Sequence, residues 1–307
     1  MYARKRRITW TAVAGKSSWA DSNSILSKAP KPASVRVTED SVFGPWLKRW
    51  ALLPDGQPVI TPGSRLLPVR RGDTPAMLKI AIDDEEKFGN LLMTWWDGDG
   101  AARVYAQHGD ALLMERAMGQ RSLMHMALNG QDDEASRVLC TALARLHAPR
   151  PTPAPPLVGL VPWFASLRST AQLQGGRFSQ CLATAEVLLA EPQDVVVLHG
   201  DMHHDNVLDF GARGWLAIDP KRVTGERGFD YANLICNPEL PTATNPQRFE
   251  RQVKVVAEAS GLEQRRLLQW VLAFAGLSAA WFLEDDDAQA AQGQLQVAKL
   301  AASKLDA

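Results

Sequence analysis

The chain has 307 residues, 46% of them hydrophobic, with 34 Lys plus Arg exactly matched in number by 34 Asp plus Glu. That length suits one bilobal fold or two small domains, and the balanced charge leaves no net field to recruit nucleic acid or an anionic membrane surface. Cys140, Cys181 and Cys236 are scattered and form no CxxC pair, which fits free thiols in a reducing, cytoplasmic setting better than a disulfide framework.

The first thirty-three residues differ from the rest. Arg4-Lys5-Arg6-Arg7 is basic, but Ile8–Ala14 is too short and interrupted for a secretory apolar region. A disordered extension over 1–33 is the expectation. Gly15-Lys16-Ser17 resembles the end of a P-loop, yet Trp10 stands where that motif needs its first glycine. No apolar run reaches the roughly 18 residues of a membrane-spanning helix.

From Ser34 to about Ile82 the signals are β. Trp46–Leu53 and Gln57–Thr61 flank the turn sequence Pro54-Asp55-Gly56. Leu66–Arg70 and Pro75–Ala81 are broken by Arg71-Gly72-Asp73. A helix is expected from Asp83 through about Trp95, with carboxylates at its positive end. Ala102–Ala106 and Asp110–Glu115 read as a further hairpin. The pattern then turns helical. Gln131–His147 places Ala135, Val138, Leu139, Ala142, Leu143 and Leu146 on one face, with Asp132 and Asp133 as caps. Pro149–Pro156 is a connector, and helices follow around Pro162–Leu173 and Phe178–Leu189. Val195–Leu198 is a buried strand. Val207–Phe210 and Trp215–Ile218 form a hairpin, and Phe229–Leu305 is mostly helical. The fold class is therefore α+β: a small antiparallel-sheet N-lobe with one helix (34–116) and a larger, mostly helical C-lobe (117–307).

Chemistry concentrates in one stretch. His199-Gly200-Asp201 is followed by Asn206 five positions after the aspartate, and by Asp219 beyond the hairpin. Phosphoryl transfer asks for positioning more than covalent chemistry. One carboxylate, Asp201, accepts and orients the attacking hydroxyl. An amide and a carboxylate, Asn206 and Asp219, suit a hard cation such as Mg²⁺ on ATP phosphates. The spacing His-x-Asp-x-x-x-x-Asn is that of the protein-kinase catalytic loop. A zinc site is the competing reading of His199, Asp201, His203, His204 and Asp205. It is disfavoured because no histidine follows His204 and such sites need three or more ligands.

A kinase also needs a lysine on a small-lobe strand. Lys79 in Ala76-Met-Leu-Lys-Ile80 fits, with Glu86 as its partner from the acidic helix and Glu85 as the alternative. Ser64, in Gly63-Ser64-Arg65, marks the turn that would cover the nucleotide. Leu112–Ala117 is the connecting strand, whose backbone near Glu115 and Ala117 would meet an adenine edge. Asp230 reads as a helix cap that also bonds the catalytic loop. Glu284 and Asp285, within the acidic run 284–287, are either a solvated face or a binding place for a polycationic substrate.

These residues carry a resemblance. Leu198-His-Gly-Asp-Met-His-His-Asp-Asn-Val-Leu208, Gly214-Trp-Leu-Ala-Ile-Asp-Pro220 and Gly225-Glu-Arg-Gly-Phe-Asp-Tyr-Ala-Asn233 resemble the aminoglycoside/hydroxyurea kinase family, nearest to its streptomycin 6-phosphotransferases. The resemblance extends from about Trp46 over most of the chain. It implies a protein-kinase-like fold and ATP- and Mg²⁺-dependent transfer to a hydroxyl. It implies Asp201 as the catalytic carboxylate, Asn206 and Asp219 as metal ligands, and Lys79 at the phosphates. The acceptor would be an aminoglycoside such as streptomycin, or else hydroxyurea or another small hydroxyl compound. Partners beyond a small molecule are not expected, and the state expected is a monomer or weak dimer. A nucleotide-binding pseudokinase is the reading from another class, and it would show a lost carboxylate or metal ligand. One departure is Lys221-Arg222, where streptomycin kinases more usually have a small or neutral loop. Two cations on the acceptor side would oppose a guanidinium-bearing substrate.

Overall fold

A computed structural model describes residues 42–238 and 240–306. The extension expected over 1–33 lies outside the described residues. Helix α1 (Gly44–Arg49) comes first, where Trp46–Leu53 predicted a strand. Pro45 sits in its first turn, where backbone N–H groups have no helical partner in any case. Phe43, Trp46, Leu47 and Trp50 recur at helical spacing and face a small core. Only the end of that run is strand, β1 (Leu52–Pro54).

Strands β2 (Val59–Ile60), β3 (Ser64–Arg71) and β4 (Thr74–Ala81) follow, then helix α2 (Asp84–Trp96) and strands β5 (Val104–His108) and β6 (Ala111–Glu115). They make an antiparallel sheet in the order β1-β3-β4-β6-β5, with β2 beside β3. Ala76, Leu78 and Ile80 of β4 pack into the small core with Phe43, Leu67 and Val69. Met77 belongs to the main core with Leu92, Met93 and Trp96 of α2. Period-two alternation therefore puts Lys79 on the Met77 face, toward α2. Asp83 caps α2 by accepting from the Glu86 N–H at 2.9 Å.

Beyond the sheet lie α3 (Leu123–Leu128) and α4 (Asp132–His147). The expected Asp132 and Asp133 caps are absent. Gln131 is the N-cap and makes no side-chain cap bond. Asp132 instead accepts from Arg248 Nε at 2.8 Å and Nη2 at 3.0 Å, because a buried carboxylate is held better by a guanidinium fork than by one amide. The chain continues through β7 (Val158–Gly159), α5 (Leu160–Trp163), α6 (Ala165–Gln174), α7 (Gly176–Ala190), β8 (Val195–Leu198), β9 (Val207–Asp209), β10 (Trp215–Ala217) and β11 (Val223–Glu226). It ends with α8 (Gly228–Ile235), α9 (Pro246–Ser260), α10 (Gln264–Glu284) and α11 (Ala288–Leu305).

The β9–β10 hairpin forms as expected. Strand β11 was not foreseen. It lies between β8, antiparallel, and β7, parallel. This small sheet sets the loop after β8 beside the loop after Asp219. Helix α10 is the spine of the helical half, buried from Leu267 to Ala280 apart from Gln269, which is half-buried. Phe229 makes edge contacts with Trp270 at 6.1 Å and Phe274 at 5.2 Å, and each such ring contributes on the order of 1.5–3 kcal/mol by burial. By length and apolarity α10 would suit a membrane span, but 72% of that window is buried within its own chain.

The hairpin also braces the junction between the halves. Ala217 N–H donates to Gly100 O and Ala102 N–H to Ala217 O, both at 2.9 Å. Past β6, Gly119 N–H donates to Asp209 O at 2.9 Å, and Arg121 Nε pairs with Asp209 Oδ2 at 2.8 Å while its guanidinium lies over Trp215.

Candidate active site

The loop His199–Asn206 leaves β8 and is held from below by a single carboxylate. Asp230, in the first turn of α8, accepts from His199 N–H through Oδ2 and from Gly200 N–H through Oδ1, both at 2.8 Å. His147 Nε2 lies 2.9 Å from the same Oδ2. Asp230 thus bonds the loop backbone as expected but does not cap its helix, since Arg227 is the N-cap. Gly200 takes φ 79°, a conformation glycine adopts without a Cβ clash, and this lets two successive amides converge on one acceptor.

His199 orients rather than reacts. Its Nε2 donates to Ile218 O at 2.8 Å and its Nδ1 accepts from Asp201 N–H at 3.2 Å, which defines a neutral tautomer. Burial pushes its pKa down against the pull of Asp230. Its ring stacks on Trp96 of α2 at 6.3 Å. His204 is also buried, and burial, with Arg248 and His203 nearby, lowers it to about 3. Neither histidine is placed as a metal ligand. Among the described residues no group of three or more His, Cys, Asp or Glu side chains converges to hold a metal. The zinc reading is therefore overturned: His199 and His203 serve the loop's own hydrogen bonds, and His204 is packed with neither ring nitrogen hydrogen-bonded.

Asn206 has two distinct ends. Its Nδ2 donates to the Asp201 carbonyl at 2.8 Å. Its Oδ1 is buried with no hydrogen-bond partner. An orphaned buried amide oxygen is costly unless something electropositive meets it, and a hard cation is such a partner. Ile218 N–H donates to Asn206 O at 2.9 Å, so Asn206 and Asp219 are tied through adjacent backbone. Asp219 has φ 59°, a left-handed conformation uncommon for aspartate that turns the chain sharply there.

Across the cleft, Lys79 Nζ lies 2.6 Å from Asp219 Oδ1 and also pairs with Glu86 Oε2. Burial lowers the pKa of Lys79, but the charges of Asp219 and Glu86 more than offset it and the net direction is up. Asp219 is likewise opposed by burial, yet Lys221 and Lys79 drive its carboxyl far below the usual range. The expected choice of Glu86 over Glu85 as the lysine's partner holds. The site combines the loop carboxylate Asp201, an unpartnered buried amide oxygen on Asn206, and an ammonium paired with Asp219.

Three expectations change. Ser64 does not present its backbone to a phosphate: its N–H donates to Thr61 Oγ1 at 2.9 Å, and its hydroxyl donates to Glu86 Oε2 at 3.0 Å. It steadies the lysine's partner. Lys221 is buried rather than exposed as a free cation toward an acceptor. Its Nζ lies 2.9 Å from Glu86 Oε1 and 3.4 Å from Asp219 Oδ2, because two opposed carboxylates hold a buried ammonium far better than solvent-side charge would. Arg222 lies over the Phe88 ring at 3.7 Å. The objection these cations raised to a guanidinium substrate falls away for Lys221. Glu115 keeps less for a ligand than expected, since its N–H donates to Arg103 O at 2.8 Å and its side chain pairs with Arg213.

Some expectations stay as they were. Asp201 is half-buried on the loop. Ala117 lies in the connection after β6, outside any strand. Glu284 and Asp285 end α10, and among the described residues no side-chain bond ties them to the loop; the neighbouring Asp287 caps α11. Sequence reasoning missed His147 and Trp96 and misplaced Lys221, because their contacts join distant segments.

A sequence profile described as aminoglycoside/hydroxyurea antibiotic resistance kinase matches residues 49–286. The chain is 52% identical over 244 residues to the streptomycin 3''-kinase of Klebsiella pneumoniae, covering 78% of this chain and 91% of that protein. It is 34% identical to the streptomycin 6-kinase of Streptomyces griseus, over 82% of this chain and 85% of that one. It is 31% identical to the hydroxyurea phosphotransferase of Kitasatospora aureofaciens, over 83% and 76%. Among solved structures, the aminoglycoside phosphotransferase APH(4)-Ia superposes with a TM-score of 0.60 at 14% identity, covering 86% of this chain and 99% of that one. A choline/ethanolamine kinase family protein from Mesorhizobium loti gives 0.60 at 16%, over 85% and 92%. These structural likenesses bear on the fold, which is protein-kinase-like.

Proposed function

The chain belongs to the aminoglycoside/hydroxyurea antibiotic resistance kinase family, and from that premise we propose that it transfers the γ-phosphoryl group of ATP to a hydroxyl of streptomycin. Identity of 52% to a streptomycin 3''-kinase, against 34% to a 6-kinase, favours the 3'' hydroxyl as the acceptor. The observation that carries the chemistry is the unpartnered buried Asn206 Oδ1, on a residue whose backbone is bonded next to Asp219; an amide oxygen and a carboxylate are the donor types that suit a hard cation. Asn206 and Asp219 would hold Mg²⁺, which supplies charge neutralisation at the phosphates. Lys79, steadied by Glu86 and Ser64, would pair with phosphate oxygens. The Ala117 amide would read the adenine edge.

Asp201 takes the acceptor proton as the hydroxyl oxygen bonds to the γ-phosphorus in line, while the bond to the bridging oxygen breaks and ADP leaves. Glu284 and Asp285 would meet cationic groups of the antibiotic. The enzyme would act as a cytoplasmic monomer or weak dimer. The pseudokinase reading lacks support, since neither the loop carboxylate nor either metal donor is missing.

The test is ADP release with streptomycin, other aminoglycosides and hydroxyurea as acceptors, with the phosphorylated position read by nuclear magnetic resonance. Turnover of streptomycin at the 3'' hydroxyl is expected; turnover of hydroxyurea alone would replace this reading with the alternative acceptor. For the metal, Asp219→Asn is expected to weaken Mg²⁺-dependent ADP binding by about tenfold or more. Calorimetric titration checks it, and an unchanged titration counts against Asp219 as a ligand.

A further inference from the structure

Four buried charges close a ring. Lys79 touches Asp219 Oδ1 and Glu86 Oε2, while Lys221 touches Asp219 Oδ2 at 3.4 Å and Glu86 Oε1 at 2.9 Å. Each carboxylate bridges two ammonium groups with separate oxygens, and all four side chains are less than a tenth exposed. A single lysine–glutamate pair would suffice to place Lys79. The second lysine needs its own account.

Lys221 is fixed by its surroundings. Its N–H donates to His199 O at 2.7 Å, and its own carbonyl accepts from Val223 N–H at 2.9 Å. Gly200 packs so closely that a Cβ there would lie 3.0 Å from Lys221 Cβ. On the other side, α2 approaches the 219–221 turn at Gly89, where any Cβ would strike the Pro220 carbonyl oxygen. The turn bearing Lys221 is thus pressed between the loop of Asp201 and the helix of Glu86. Through the His199 and Gly200 contacts, Lys221 is the ring member joined directly to the loop that carries Asp201.

We propose that Lys221 is a second phosphate-site cation, which pairs with Asp219 within the ring and serves the transferring phosphoryl group once a metal ion takes that carboxylate. This rests on the Mg²⁺–nucleotide reading of the site. The argument is one of partners. In the ring two ammonium groups share two carboxylates. A divalent cation on Asp219 leaves Glu86 alone facing both lysines. An unpaired buried ammonium is strongly unfavourable, and the anions arriving with the metal are phosphate oxygens. Lys79 enters from β4 and Lys221 from the turn that packs on the loop of Asp201.

The experiment uses Lys221→Met, with Lys221→Gln read the same way should the first fail to fold, and Lys221→Arg as the charge-retaining variant. Two readouts are taken: ADP affinity by calorimetry as free Mg²⁺ is varied, and kcat at saturating substrates. Without the competing ammonium, the Mg²⁺ needed for half-maximal ADP binding is expected to fall about tenfold. The same variant is expected to lose about 100-fold in kcat, with partial recovery in Lys221→Arg. A merely lobe-tying role lowers the melting temperature and leaves the Mg²⁺ requirement unchanged; that result, or an unchanged kcat, overturns the proposal. If the wild-type protein shows no Mg²⁺-dependent ADP binding at all, the underlying reading of the site fails instead.

Discussion

Asp201→Asn is expected to cut kcat by between about 10² and 10⁴-fold while leaving ADP affinity within a factor of about three. The split follows from which atoms of Asp201 do what. The Asp201 carbonyl, not its side chain, accepts from Asn206 Nδ2. The Asp201 N–H, again backbone, bonds His199 Nδ1. Replacing the carboxylate by an amide therefore leaves the orientation of Asn206 and the loop in place. Lys79 and Glu86 pair across the cleft without involving Asp201. On the proposed mechanism, what is lost with the side chain is the acceptor for the hydroxyl proton. Steady-state kinetics with ADP calorimetry on the same preparation checks both halves. Retained full turnover would sink Asp201 as the proton acceptor, and a parallel collapse of ADP affinity would show that its side chain holds the nucleotide site.

How far the sequence carried this depended on the range of the interactions. Asp201, Asn206 and Asp219 were legible because their spacing is local and a loop ending in a hairpin brings them together. Lys79 was legible from its place on a strand before an acidic helix. Helical phase alone did not settle Glu86 against Glu85; in α2 Glu86 falls among the buried positions with Gly89, Asn90, Leu92, Met93 and Trp96, and Glu85 does not. Helix α1 was missed because six residues hold too few turns to show a period against aromatic residues that also favour strands. Strand β11 was missed because four residues with a glycine show no alternation, and its partners lie far along the chain. Lys221 was misplaced for a related reason. Its direction is set by the left-handed turn at Asp219 and by a bond to Glu86, 135 positions away. Sequence adjacency suggested an exposed cation on the acceptor side, and long-range charge pairing buried the side chain against Glu86 of α2.

Asp230→Ala is expected to be the most destabilising single change near the site, although Asp230 touches no reacting group. The residue is fully buried, and three donors converge on it: His199 N–H, Gly200 N–H and His147 Nε2. Truncation strands them all. Each unsatisfied buried donor costs about 1–3 kcal/mol, and because the three share one acceptor their sum is not additive, so about 3–5 kcal/mol overall is expected. For a chain of this size that corresponds to a fall in melting temperature of roughly 10 °C. Activity should fall as well, since the amides of His199 and Gly200 set the path of the loop that carries Asp201 and Asn206. Asp230→Asn is expected to rescue little: one of its oxygens becomes an NH₂ facing an amide donor. Thermal melts of both variants, with kcat measured well below the melting transition, check the argument. A loss under about 1 kcal/mol would mean that water reaches the loop backbone and satisfies it. A double-mutant cycle with His147→Ala then separates the contributions. Coupling on the order of 1 kcal/mol is expected if the imidazole and the two amides share this carboxylate as a unit, and strict additivity would assign the loop to the backbone bonds alone.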